Sequence, residues 1–426
     1  MLQVQEIRTH LKTYVEGLTK RGIADADSVL QEVLDTDQKR KDTQQQLDQT
    51  LSQSNQMAKQ IGGLMKAGKK EEAEAAKQQA AALREQGKAM TEQLHSLEEA
   101  LRNLLYNIPN VPNEIVPAGK DETANEVIKT STDELPSMDE TAKPHWDLIE
   151  AYDIVDFELG NKVTGAGFPF YKGAGARMVR GMVNYFLDQA SQAGYVEVQP
   201  PIVINEASGY GTGQLPDKEG QMYGLTNSQM FLIPTAEVPI TNMYRDTILK
   251  EEQLPIKHVG FTPCFRREAG NWGAHVRGLN RLHQFDKVEI VQVSKPEYSY
   301  QVLDDMVAHV ESLVASLGLP YRILRLCAGD LGFTSAITYD FEVYSAAQQK
   351  WLEVSSVSNF ETYQTNRLKL RYRDADGKKQ LAHTLNGSAL AIPRILAALL
   401  ENNQTADGIV VPEVLVPYTG FSKIEK

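Results

Sequence analysis

Cysteine is almost missing from this chain of 426 residues: Cys264 and Cys327 are the only two, far apart and in no CxxC pair. That usage excludes a disulfide framework and a zinc site built from thiolates. No run of about 18 apolar residues occurs, so no membrane-crossing helix is expected. The start Met1-Leu2-Gln3-Val4-Gln5 lacks the basic and apolar regions of a signal peptide. Residence in the cytoplasm is the expectation. A phosphate-binding loop of the GxxxxGK[ST] type is absent too, so any ATP site must use another architecture. Nor is there an excess of positive charge. The formal net charge of -12 argues against nonspecific coating of nucleic acid, which needs local Lys and Arg density, and leaves room only for a local basic surface.

Proline and aromatic residues are missing together from residues 27–105, a stretch rich in Gln, Ala, Lys and Glu. That is the composition of long helices. Leu83, Gly87, Met90, Leu94, Leu97, Leu101 and Leu104 step alternately by four and three, a heptad seam interrupted only by Gly87. Upstream, Val33, Leu47, Leu51, Ala58, Ile61 and Met65 fit the same stepping, with polar Asp37, Arg40, Gln44 and Ser54 on intermediate seam positions. Lys66-Ala67-Gly68-Lys69-Lys70 between the two suits a chain reversal. An antiparallel helical hairpin is therefore expected, each arm projecting about 55 Å at about 1.5 Å per residue. Lys59, Lys66, Lys69, Lys70 and Lys77 cluster near its tip, which fits a probe for a nucleic-acid backbone. A dimerisation coil or spacer with solvated lysines is the plainer alternative.

The run Asn107-Ile108-Pro109-Asn110-Val111-Pro112, with Pro117 and Pro136 beyond, ends the helix. At this length two or more domains are expected. The boundaries read as 1–108 for an N-terminal domain with its arm at about 27–105, 109–144 for a connecting segment and 145–426 for the second domain. In the latter, a helix is expected over 174–193, a strand over 195–199 stopped by Pro200-Pro201, and further strands over 230–233, 338–343 and 351–357. A last helix starts near Ser388 and contains Pro393. The strands are too irregularly connected for repeated βαβ units, so the fold class is α+β, an antiparallel sheet flanked by helices.

Residues 261–293 gather charge and aromatics. Read as a β-hairpin, they put Arg266 and Glu268 on one face of the outgoing strand, and Phe285 and Glu289 on one face of the returning strand. A polar loop holding Gly270, Gly273 and Gly278 lies between. A guanidinium suits a phosphate, a flat ring a base, and a carboxylate an amine or a metal. On those residues alone, a surface hairpin laced with ordinary ion pairs is an equally good reading.

Four patches add to it: Tyr195-Val196-Glu197-Val198-Gln199-Pro200-Pro201, Pro263-Cys264-Phe265-Arg266-Arg267-Glu268-Ala269-Gly270, Glu353-Val354-Ser355-Ser356-Val357-Ser358-Asn359 and Asn386-Gly387-Ser388-Ala389-Leu390-Ala391-Ile392-Pro393-Arg394. Together they resemble the motifs of class II aminoacyl-tRNA synthetases. With Ile233-Pro234-Thr235-Ala236-Glu237 and the helical hairpin, the chain resembles the bacterial seryl-tRNA synthetases over essentially its whole length. The resemblance implies a class II catalytic domain at 145–426, a tRNA-binding domain at 1–108, and a homodimer with Pro201 near its interface. It implies activation of L-serine with ATP to seryl-adenylate, then transfer of the seryl group to the 3′ end of tRNA(Ser), and to tRNA(Sec) in organisms that use it. By the same resemblance Arg266 holds the α-phosphate, Glu268 meets the adenine edge, Phe285 stacks on the base and Arg394 clamps the γ-phosphate, with Arg267, Leu282, Val354 and Ser355 beside the nucleotide. Glu353 and Ser356 match positions for Mg²⁺, and Thr235, Ala236, Glu237, Glu289 and Ser388 surround serine.

Taken singly, Thr235 fits a helix cap, Glu353 a solvent-facing strand position, Ser388 a cap of the final helix and Arg394 a surface charge. Scattered His275, His283 and His383 are assigned no chemistry. Departures from the family pattern are Arg267, Ala274-His275 in the loop 271–277, and Ala389. A catalytically inactive, synthetase-like RNA-binding adaptor is the alternative, and a ligase loading a carrier protein is a third. The joint presence of Arg266, Glu268, Glu289, Glu353 and Arg394 speaks against the adaptor.

Overall fold

The computed structural model describes residues 1–132, 134–138, 141–268 and 277–426. They form two compact units: Leu2–Thr19 with Ile23–Pro109, and Met1 with Lys20–Gly22 and Asn110–Lys426.

The first unit carries the helical hairpin, preceded by two short helices, Val4–Thr9 and Leu11–Lys20. Helix α1 (Ala26–Lys66) and helix α2 (Lys70–Asn107) are about 62 and 57 Å long at 1.5 Å per residue. Between them the chain reverses at Gly68, whose φ of +73° suits a residue without a Cβ. The α2 seam lies as expected and continues toward the tip through buried Ala80, Ala76 and Ala73. The α1 seam holds at Val33, Asp37, Leu47 and Ile61 but slips at three positions. Leu51 and Met65 are 49% and 50% exposed and Ala58 is exposed too, whereas Thr50, Met57 and Leu64 turn inward. Thr50 reaches Met90 across the pair, Oγ1 to Sδ at 3.7 Å. Near the base, Asp37 is buried among Arg8, Arg40 and Lys41 at 2.8, 2.9 and 3.0 Å. Burial pushes its carboxyl up, but hydrogen bonds from Arg40, Lys41 and Arg8 outweigh this and hold it below the usual carboxylate range.

The second unit is built on an eight-stranded sheet. Its strands are β1 (Glu126–Thr130), β2 (Val196–Glu197), β3 (Ile256–Phe265), β4 (Gln284–Ser294), β5 (Tyr321–Arg325), β6 (Ile337–Ser345), β7 (Lys350–Asn359) and β8 (His383–Ala391). The order across the sheet is β1-β5-β6-β7-β8-β4-β3-β2. All neighbours are antiparallel except β2 and β3. Helices α3 (Gly173–Gln192), α4 (Ser299–Ser316) and α5 (Ile392–Asn402) pack on it, and their Met182, Phe186, Met306, Val310, Ile395 and Leu399 share one apolar core with Val259, Val288, Ile290, Phe341 and Val357 of the strands. Along β4 the rows alternate. Val288 and Ile290 join this core while Phe285, Lys287 and Glu289 face a cleft. A one-residue slip would exchange the two rows, so the apolar row fixes the register that presents the charged one.

Three expectations are corrected here. The segment 109–144 is more than a connector: it supplies the edge strand β1, and Asn110 and Asn113 bond the backbone of Phe333 and Ala336. The strand at 195–199 shortens to the two residues of β2. The last helix begins at Ile392, with Ser388 still in strand β8. Pro393 lies in the first turn of α5, where its missing N–H costs nothing and its fixed φ fits the helix. Cys264 and Cys327 are buried free thiols. Among the described residues no helix is long and apolar enough to cross a membrane.

Candidate active site

A cleft of about 640 Å³ opens over the sheet in the second unit. Its floor is the polar row of β4 together with residues of β7 and β8. At one end Phe285 meets Arg266, whose guanidinium lies 5.3 Å from the ring centre. Glu268 pairs with Arg281, and its backbone N–H donates to the Gln221 side chain at 3.1 Å. Strand β3 ends at Phe265, so strand alternation is not what aligns Arg266 and Glu268. Glu268 instead adopts φ +49°, and Arg266 N donates to the His283 carbonyl at 2.9 Å. The loop glycines Gly270 and Gly273, and Ala274-His275, lie outside the described residues. Arg394, in the first turn of α5, donates to the carbonyls of Asn280 at 3.0 Å and Glu353 at 2.7 Å.

Deeper in the cleft the walls are polar and buried. Glu289 is fully buried. It accepts hydrogen bonds from Thr235 at 2.9 Å and Asn386 at 3.1 Å and pairs with Lys287, whose ammonium also donates to Thr235 at 3.0 Å. Beside it, Gln364 donates to Glu237 at 2.6 Å and accepts from Thr384 at 2.8 Å. Burial pushes the Glu237 carboxyl up to about 7; the Gln364 bond opposes that and the Glu289 charge adds to it. A bulge in β8 between Ser388 and Ala391 keeps Ser388 opposite Glu289 and Ala391 opposite Lys287.

The expected metal positions fit an oxygen-seeking cation. In a regular strand, Glu353 and Ser356, three residues apart, would point to opposite faces. Strand β7 carries a bulge there: Glu353 pairs with Glu342 and Ser356 with Asp340, so both follow the same face of β6. Ser356 donates to Asp340, whose carboxyl is raised well above the ordinary range by burial and then by the nearby Glu353 charge. Among the described residues no group of three or more His, Cys, Asp or Glu could hold a metal by itself. One carboxylate and one hydroxyl are hard oxygen donors of the kind that Mg²⁺ prefers.

Of the residues singled out from sequence, Arg266, Glu268, Leu282, Phe285, Glu353, Val354, Ser355, Ser356, Arg394, Thr235, Glu237, Glu289 and Ser388 all border this cleft. Two do not. Arg267 is exposed, only its backbone being tied to the Gln221 carbonyl, and Ala236 is buried in an apolar cluster with Ile240 and Val291. His283 bonds the Tyr223 hydroxyl at 2.6 Å and stacks on Phe168, a structural role. Lys287 was missed. It sits midway between Phe285 and Glu289 on the same alternating row, a signal already present in the sequence. Asn386, two residues before Ser388 on β8, follows by the same rule, whereas Gln364 comes from a separate short helix and gives no such sign.

Residues 1–112 match the family model "Seryl-tRNA synthetase N-terminal domain", and residues 225–403 match "tRNA synthetase class II core domain (G, H, P, S and T)". Over 426 residues the chain is 47% identical to the serine–tRNA ligase of Salinibacter ruber, covering 100% of this chain and 99% of that one. It belongs to the seryl-tRNA synthetase family. The serine–tRNA ligase of Desulforamulus reducens is 48% identical over 423 residues, 99% of this chain and 98% of that one. Among solved structures, the seryl-tRNA synthetase of Pyrococcus horikoshii complexed with ATP superposes with a TM-score of 0.92 at 31% identity, covering 100% and 99% of the two chains. The cytoplasmic enzyme of Naegleria fowleri in complex with AMP gives 0.87 at 26%, again over 100% and 99%. The core match at 225–403 takes in every cleft residue from Thr235 to Arg394, and the synthetase fold of the family is the helical hairpin followed by an antiparallel sheet seen here.

Proposed function

We propose that the protein is an active serine–tRNA ligase, which joins L-serine to ATP as seryl-adenylate with release of pyrophosphate and then moves the seryl group to the 3′ end of tRNA(Ser). The observation that carries this reading is the fully buried Glu289, held by Thr235, Lys287 and Asn386. A buried polar pocket of that kind suits a substrate bringing an ammonium and a hydroxyl, and leaves its own polar groups unpaired when the hydroxyl is missing. Glu289 receives the ammonium, with Thr235, Glu237 and Ser388 around the rest of serine. Four residues away on the same row, Phe285 offers a face to the adenine and Glu268 an acceptor to its amino edge. Lys287 lies between, where the serine carboxylate must meet the α-phosphorus, and with Arg266 offsets the charge concentrated there. Arg394 takes the far phosphate. Glu353 and Ser356 would hold Mg²⁺, which would supply charge neutralisation on the triphosphate.

Lys59, Lys66, Lys69, Lys70 and Lys77 at the hairpin tip support a role of that unit in binding tRNA by its backbone. Lys69 and Lys77 are paired with Glu72 and Glu74. The same reaction serves tRNA(Sec) where the source organism makes one. A homodimer is favoured by the edge strand β2, where Val196 is 61% exposed and Ile202 and Met243 lie open as well. Aminoacylation assays with ATP, Mg²⁺ and tRNA should yield seryl-tRNA with serine and none with alanine or threonine. A folded protein that charges no tRNA with serine would put the inactive adaptor in its place.

A further inference from the structure

The cleft does not end at the amino-acid pocket. Strands β4 and β7 both run antiparallel to β8, so they point the same way, and Glu289, Ser388 and Ser356 lie on one level across the sheet. Phe285 is four residues from that level in one direction and Phe360 four residues in the other, about 13 Å each way at 3.3 Å per residue. The nucleotide end occupies the Phe285 side. On the opposite side the cleft continues into a lobe walled by Phe360, by Gly332 to Ser335 and by Gly213, Gln214 and Pro216 to Lys218.

Three features of this lobe go beyond a mere gap. Phe333 is half-buried and crosses Tyr363 nearly at right angles with ring centres 6.2 Å apart, and Lys218 places its ammonium 3.9 Å from the Phe333 ring centre. Its wall is braced from behind. Arg21 donates to the carbonyls of Ser335 at 3.0 Å and Leu331 at 2.8 Å, while Asn110 holds Phe333 and Thr334 by their carbonyls at 3.0 Å each. The facing loop is held as firmly, with Arg367 donating to the Leu215 carbonyl at 3.1 Å and Asp217 accepting from the backbone of Gln221 and Met222 at 2.9 Å each. A preset aromatic face with a cation over it is a place for a nucleobase and its phosphate.

We propose that this lobe receives the 3′-terminal nucleoside of the tRNA acceptor end, its base on the Phe333 ring and Lys218 turned toward the adjoining phosphate. This rests on the reading of the protein as a serine–tRNA ligase. The second step needs a ribose hydroxyl at the seryl carbonyl, approaching from the side that the adenylate leaves open. There the hydroxyl oxygen bonds the carbonyl carbon, and the bond from that carbon to the phosphate oxygen breaks with its electron pair staying on AMP. The hydroxyl proton passes to the departing phosphate.

Single-turnover transfer from enzyme-bound seryl-adenylate separates this step from activation. Phe333→Ala and Phe333→Leu, in the full chain, should slow transfer to tRNA by about ten-fold or more, as loss of a stacking face does. Wild-type transfer should favour a tRNA ending in A over the same tRNA ending in C, and both variants should erase that difference. Lys218→Ala should slow transfer to both tRNAs alike and weaken its salt dependence. Serine-dependent pyrophosphate exchange should stay within about two-fold of wild type, since transition-state contacts of the first step are untouched. Unchanged transfer, a preserved preference for A in the leucine variant, or equal loss of exchange and transfer would each overturn the subsite. Wild-type protein without serine-dependent exchange would instead strike the ligase reading, and this proposal with it.

Discussion

Glu237 shows how burial turns one carboxyl into a group that titrates near neutrality. It is 6% exposed and pushed up to about 7, so it is mostly protonated in mild acid and charged in mild alkali. Serine brings an ammonium, so the Michaelis constant for serine in pyrophosphate exchange should fall as pH rises through about 7, and Glu237→Gln should flatten that dependence. The sign for stability is opposite. A carboxyl whose folded value is raised favours the fold most below its unfolded range and loses that contribution as pH rises through about 7, so Glu237→Gln should also flatten the melting temperature over that interval. Lys287 allows a second residue-level test. It is 5% exposed and held by Glu289 and Thr235 beside the proposed meeting point of serine and the α-phosphorus. Lys287→Met should lower the rate of serine activation by about 100-fold, the scale of losing one preorganised charge partner, with a smaller change in the Michaelis constant for serine. A change confined to the latter would make Lys287 a brace for Glu289 and nothing more.

At the scale of elements, the α2 seam offers a stabilising change. A Cβ on Gly87 would meet Leu51 Cδ2 at 3.8 Å and Thr50 Cγ2 at 3.9 Å, ordinary contact distances. Gly87→Ala should therefore stabilise the hairpin by about 0.5–1 kcal/mol through the helix interior alone, read as an upward shift of its calorimetric transition. What could be read of the elements from sequence divides along physical lines. The hairpin, its reversal at Gly68 and the α2 seam were legible because a heptad is a local pattern. The α1 seam was misplaced by one residue at Leu51, Ala58 and Met65, because apolar residues also stand in the neighbouring row and Thr50 packs there despite its hydroxyl. Strands β6 and β7 were visible as alternating runs. The bulge that aligns Glu353 with Ser356 was not, since it exists only in the pairing of two strands. Ser388 was drawn into a helix because the stretch Ser388 to Ile395 has helix-like composition, and its partner Glu289, which holds it in the sheet, lies 99 positions away in the sequence. Most of the candidate site was legible through the family motifs; Lys287 and Asn386 needed only the alternation rule, while Gln364 and the Phe333 lobe needed the tertiary fold.

For the whole molecule, the two units predict a division of labour. The proposed activation site draws only on the second unit, all of the cleft residues lying between Gly213 and Arg394. Replacing residues 36–93 by a short loop should leave serine-dependent exchange nearly intact and cut tRNA charging severely. Equal loss of both in a folded variant would contradict the division. The most direct test of the central claim is ATP–pyrophosphate exchange by the purified wild-type protein, without tRNA, offered each of the standard amino acids in turn. Exchange with serine, and with neither alanine nor threonine, is the expected result, since the proposed pocket around buried Glu289 leaves its polar groups unpaired when the hydroxyl is missing. Exchange supported by another amino acid, or by none in a folded protein that binds ATP, would contradict it.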